Sequence, residues 1–138
     1  MRRKLLLTLI PLGLLAAAAP APSLKLFGSG FEAGQWKMTP LDSDAQARDP
    51  NGAAQCFASP EALIHAGNSS AGGADCGYTV VEDGDDRATV TYSCKGKGNG
   101  RTTIRREGTG YLVFAQGIDG REPYEMRSRY ERTGACAS

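Results

Sequence analysis

Through CGYTVVEDGDDRATVTYSC, residues 76–94, apolar side chains recur at every second position on both sides of an acidic centre. A period of two marks a strand with one buried face, and two such runs mirrored about a turn mark a hairpin. Folding about Asp85 sets Cys76 opposite Cys94, Tyr78 opposite Tyr92 and Val80 opposite Val90, all on one face. A one-residue slip would scatter these pairs over both faces, so the pattern specifies its own register.

The same reading makes residues 101–132, RTTIRREGTGYLVFAQGIDGREPYEMRSRYER, a three-stranded meander. Asp119-Gly120 is a strong hairpin turn signal and Gly108-Thr109 a weaker one. Two-residue turns at both places align Ile104, Val113 and Met126, with Thr102, Ala115 and Tyr124 as a second row on the same inward face. Tyr124, Met126, Ser128 and Tyr130 alternate with Glu125, Arg127, Arg129 and Glu131, as a half-buried strand requires.

Upstream the pattern weakens. FEAGQWKMTP reads as a strand with Trp36 and Met38 on one face, AAQCFA as a short strand, and DSDAQARDPNG and NSSAGGAD as loops. SPEALIHAG carries the helix signals: Ser59 as cap, Pro60 in the first turn, Glu61 at the positive end and Gly67 as terminator. Two turns cannot hold alone, so this helix must dock through Leu63 and Ile64. The expected fold is mostly β: an antiparallel meander forming a curved sheet or small sandwich, with one short helix and two disulfides.

MRRKLLLTLIPLGLLAAAAPAPS opens the chain with a basic cluster, an apolar run of about eleven residues and a small-residue tract. This is the layout of a secretory signal peptide, and the run is too short for a membrane span. Cleavage after Ala18 satisfies the small-x-small rule. The expected organisation is a signal peptide over 1–18, a flexible leader over 19–30 and one β-rich domain over 31–138. The protein is expected to be exported, to the periplasm or beyond, with no transmembrane span.

Four cysteines in an exported chain of this size read as two disulfides. The hairpin register pairs Cys76 with Cys94 and leaves Cys56 for Cys136. No two cysteines are close enough for a CxxC redox or zinc motif, and His65 is the sole histidine.

Candidate chemistry is sparse. There is no GxSxG and no HExxH, and paired cysteines supply no nucleophile, so no catalytic residue and no cofactor is assigned. His65 is expected at a surface or half-buried helix position. The tip Glu82-Asp83-Gly84-Asp85-Asp86 lacks the alternating acids and closing Glu of a calcium loop and reads as a solvated turn, so no metal site is assigned. KGKGNGR at 95–101 lacks the order of a phosphate loop and reads as a connection between hairpins.

Charge is uneven. Residues 19–86 hold three basic and ten acidic side chains, and residues 87–138 hold ten basic and five acidic. The near-neutral total gives no reason to expect a nucleic-acid partner. In the meander register Leu112 and Phe114 point away from the core beside Arg105 and Arg127. An apolar pair ringed by arginines is a candidate face for an amphiphilic or anionic envelope component. The competing reading has other elements and the arginine stems covering it.

GQWKM near the mature start, QCFASPEAL, the mid-chain Cys76 and Cys94, and the closing GAC at 134–136 together resemble a family of small exported bacterial proteins known as domain of unknown function 3617. The resemblance spans nearly all of the mature chain. It implies a periplasmic or secreted protein of a Gram-negative bacterium, lends weight to a Cys56–Cys136 bridge, and carries over no catalytic or binding residue. The resulting expectation is a non-enzymatic, disulfide-stabilised binding or envelope-interaction domain. Two alternatives are an amphiphile-binding module using the Leu112/Phe114 face and an enzyme with an unrecognised carboxylate site.

Overall fold

The computed structural model describes residues 20–28, 31–44, 46–49, 51–71 and 75–137; the expected signal peptide over 1–18 lies outside the described residues. Seven strands follow in chain order: β1 (Gly34–Pro40), β2 (Ala53–Phe57), β3 (Cys76–Asp83), β4 (Arg87–Cys94), β5 (Gly98–Glu107), β6 (Gly110–Asp119) and β7 (Glu122–Gly134). A 3-10 turn spans Lys25–Phe27, and a single helical turn, α1, spans Glu61–Ile64 between β2 and β3. The strands form one antiparallel sheet in the order β2-β1-β7-β6-β5-β4-β3, so the last strand closes the gap between β1 and the meander. Of the two expected forms, the molecule is a single sheet rather than a sandwich.

The inner face carries the core: Trp36, Val90, Tyr92, Ile104, Tyr111, Val113, Ala115 and Tyr130 are all buried. The expected loose leader over 19–30 is corrected at its apolar segment. Leu24, Leu26 and Phe27 are buried, Phe27 packs edge-on to Tyr111 at 5.4 Å, and the Arg106 guanidinium donates to the Leu26 carbonyl. The inner face of a lone sheet needs a cover, and Leu24, Leu26 and Phe27 provide part of it.

α1 provides the rest, and it is shorter than the expected two turns. Pro60 precedes it and no side chain caps it, so Ser59 is not the cap. Leu63 and Ile64 are fully buried, as docking requires, and the Thr102 hydroxyl donates to the Ile64 carbonyl at 2.6 Å, satisfying a group the short helix leaves open. Gly67, at φ +82°, then turns the chain down onto β7, where a Cβ would strike the Tyr124 ring and the Met126 sulfur. The helix has already ended at Ile64 with His65 as its C-cap, so Gly67 turns the chain but is not the expected terminator.

The β3–β4 register is as expected from Cys76↔Cys94 to Val80↔Val90, after which Val81 is an extra residue and Glu82 faces Thr89. This bulge at the sheet edge leaves Val80 and Val81 exposed by 42 % and 51 %, so Val80 shares the face of Val90 without its burial. The β5–β6 register is also as expected, with Ile104 opposite Val113. The β6–β7 register is corrected. The turn is Gly120-Arg121, Asp119 pairs Glu122, and Val113 faces Ser128 while Ala115 faces Met126. The shift is two residues, an even number, so every side chain of β7 keeps its expected face.

Candidate ligand groove on the outer face

The predicted bridges are both present: Cys76–Cys94 across the hairpin, with Cα atoms 4.0 Å apart, and Cys56–Cys136 with 5.5 Å. The second joins β2 to the segment after β7 and ties the outermost strand to the chain end. The first lies under His65, whose ligand nitrogen falls within 4.8 Å of the Cys76 and Cys94 sulfurs. Those sulfurs are bonded to each other, so the thiolates that a metal would require are not available there.

His65 is buried, at 9 % exposure, deeper than the expected surface or half-buried position. Its Nε2 lies 3.0 Å from the Tyr78 hydroxyl, its ring packs edge-on to Tyr92 at 4.8 Å, and Nδ1 is 4.0 Å from Glu61. Burial lowers its pKa below the ordinary value, against the opposing pull of Glu61. Burial likewise pushes the Tyr78 phenol up to about 12, with Glu61 and Tyr92 adding to the rise. Beside this cluster an inner cleft of about 640 Å³ is lined by Met38, Phe57, Glu61, His65, Met126 and Tyr130, among others. Most polar groups at its rim are already engaged. Asn68 donates to the Lys97 and Ile118 carbonyls, and Asp119 accepts from the Ser69 and Ser70 amides and the Ser69 hydroxyl. Hydrogen bonds from Ser70 and Ser69 hold the Asp119 carboxyl below its ordinary range.

The acidic tip is a turn held by its own contacts. Glu82 pairs with Arg87 at 3.4 Å, Asp83 accepts from the Lys25 amide at 2.8 Å, and Gly84 donates to the Arg87 carbonyl.

On the outer face the pairing sets side chains into rows that cross four strands. Thr89, Thr103, Phe114 and Arg127 form one row. It satisfies itself: the two threonine hydroxyls lie 3.0 Å apart, and the Arg127 guanidinium sits 4.8 Å over the Phe114 ring while donating to the Ser43 and Asp42 carbonyls. Towards the turn at 108–109, Arg105 faces Leu112, which faces Arg129. Leu112 is only 4 % exposed and Arg129 is paired with Glu107 at 3.1 Å. The sequence thus brings Leu112, Phe114, Arg105 and Arg127 to one face as expected. Leu112 is covered, however, and Arg127 is spent as a lid over Phe114, so an apolar centre open to solvent does not exist there.

The next row differs. Thr91 faces Arg101, Arg101 faces Gln116 and Gln116 faces Glu125. Arg101, Gln116 and Glu125 are exposed and Thr91 half-buried. None of the four makes a side-chain hydrogen bond or ion pair among the described residues. They line a groove of about 720 Å³ that also takes in Asn99, Ile118, Pro123 and the backbones of Gly100 and Gly117. A depression of about 260 Å³ around Phe114 and Arg127 adjoins it through Arg101, Gln116 and Glu125. These residues were legible only as polar positions of strands; the signal that could have found them is the register itself.

A family model for proteins of unknown function, DUF3617, matches residues 31–136. The chain belongs to that family. The match includes all seven strands and both bridges. No curated protein and no solved structure matches the chain. Membership in DUF3617 therefore brings no assigned chemistry, and the groove stands on its geometry. No helix among the described residues is long and apolar enough to cross a membrane.

Proposed function

We propose that this DUF3617 protein is exported and acts in the envelope as a non-catalytic binding domain, holding its ligand in the outer groove. The observation that carries this reading is the row Thr91–Arg101–Gln116–Glu125, four adjacent polar side chains with unused hydrogen-bonding capacity. The neighbouring Thr89–Thr103–Phe114–Arg127 row, by contrast, has its polar groups already partnered. A pre-formed groove with a few convergent polar groups is the ordinary form of a binding site.

The non-catalytic reading is supported by the disposition of the reactive groups. His65 is packed against Tyr78 and Tyr92, and the four cysteines are consumed in bridges. Export is supported by the basic-then-apolar opening of the chain and by two disulfides in a small domain.

Native mass spectrometry of the protein recovered from its own periplasm tests the reading. The wild type is expected to carry a co-purifying mass that an Arg101→Ala/Gln116→Ala variant lacks. A bare wild-type protein, or one recovered only from the cytosol with its opening segment intact, would oppose it.

A further inference from the structure

The chemistry of the groove narrows what it takes, if the binding reading above holds. The row offers a hydroxyl, a guanidinium, a carboxamide and a carboxylate in sequence across β4, β5, β6 and β7. Donors and acceptors are both present, and the row's formal charges, one Arg and one Glu, cancel. A lipid headgroup or polyanion would call for several unopposed cations; this row offers one, beside a carboxylate that would repel it. Glu125 and Gln116 instead provide acceptors, which suit a ligand rich in hydroxyl donors.

Shape points the same way. With strands about 4.8 Å apart, four positions in one row span about 14 Å. The ligand is therefore elongated, lying across the strands. It is flanked on one side by apolar surface, Ile118 and Pro123 in the neighbouring row, and on the other by the Arg127 guanidinium over Phe114. Groups that are polar at their edges and carry C–H faces fit a trough built in this way. Asn99 adds a further exposed amide at the margin.

We infer that the groove binds an uncharged oligosaccharide, a linear chain of sugar rings laid along Thr91, Arg101, Gln116 and Glu125, with ring faces on Ile118 and Pro123. The test is an amide-resonance titration of the mature, oxidised protein with a β-1,4-linked N-acetylglucosamine hexamer and an α-1,4-linked glucose hexamer. Phosphatidylglycerol vesicles and a proline-rich decapeptide serve as the other arms. One of the sugar hexamers is expected to shift the amides of residues 91, 101, 116 and 125 in a saturable way. Gln116→Ala and Glu125→Ala should each weaken it by about tenfold, the loss of one good hydrogen bond, with unfolding midpoints unchanged. Vesicles or peptide shifting the same amides while neither sugar does would overturn the ligand class and leave the site standing. No ligand shifting these amides, or sugar shifts confined to the inner cleft around Met38 and Phe57, would overturn both.

Discussion

The hydroxyl oxygens of Tyr92 and Tyr124 lie 2.9 Å apart although their strands, β4 and β7, are separated by β5 and β6. The inner-face row that joins them reads Tyr92, Gly100, Gly117, Tyr124. Two tyrosines can lie over the two middle strands because those strands present no side chain there. A Cβ at Gly100 would sit 2.6 Å from the Tyr92 hydroxyl and against that of Tyr124, and one at Gly117 would strike the Asn99 carbonyl. The same two glycines line the outer groove. The glycine pair therefore shapes both faces of the sheet.

Gly100→Ala is expected to destabilise the protein by about 1–3 kcal/mol, the usual cost of overpacking, read as a lower urea midpoint at unchanged slope. Tyr124→Phe alone should cost about 1 kcal/mol for the lost hydroxyl pair. In the Gly100→Ala background it should cost less, because it removes the atom the new methyl strikes. Additive losses would show that the glycine is not there to admit the tyrosines.

His65 couples stability to acid. Its pKa is lowered in the folded state, so between that value and the ordinary 6.5 the unfolded chain holds a proton that the folded chain does not. The contribution is present above pH 6.5 and is lost as the pH falls through the folded value. Denaturation between pH 5 and 8 should show stability falling on the acid side, and His65→Gln should flatten that limb. A His65 that titrates at its ordinary value by NMR would contradict the burial argument. At the alkaline end the sign reverses. Tyr78, raised to about 12, contributes fully below pH 10 and loses that contribution as the pH rises through 12.

The two bridges close loops of different length, with sequence separations of 18 and 80. In the chain-entropy picture, serine replacement of Cys76 and Cys94 costs about 3 kcal/mol, and of Cys56 and Cys136 about 4.5 kcal/mol. The order is what thermal unfolding checks: the long-range pair should be the more damaging loss. The reverse order would mean that buried packing of Cys76 and Cys94, rather than loop closure, dominates.

Much of the sheet was legible because its strands alternate cleanly. The β3–β4 and β5–β6 pairings follow from facing cysteines, tyrosines and valines and from a two-residue turn at Gly108-Thr109. The β6–β7 turn was misplaced by one position because Asp119 is used as a strand end whose carboxylate anchors Ser69 and Ser70, a contact fifty residues away in sequence. The helix and its docking through Leu63 and Ile64 were legible, but its shortening to one turn and the depth of His65 were not, for a similar reason: both depend on α1 meeting β5, Tyr78 and Tyr92. The sequence drew attention to Leu112 and Phe114, apolar residues that stood out among polar ones, and could not show that Leu112 is covered and Phe114 lies under Arg127. Which polar residues lack partners is a property of the assembled rows and cannot be read from any single strand.

The most direct test of the account is where a native ligand touches the sheet. Isotope-labelled mature protein titrated with fractionated periplasmic extract should show shifts concentrated on the amides of Thr91, Arg101, Gln116 and Glu125. Shifts confined to residues around the inner cleft, Met38, Phe57, His65 and Met126, with the outer row unmoved, would contradict it.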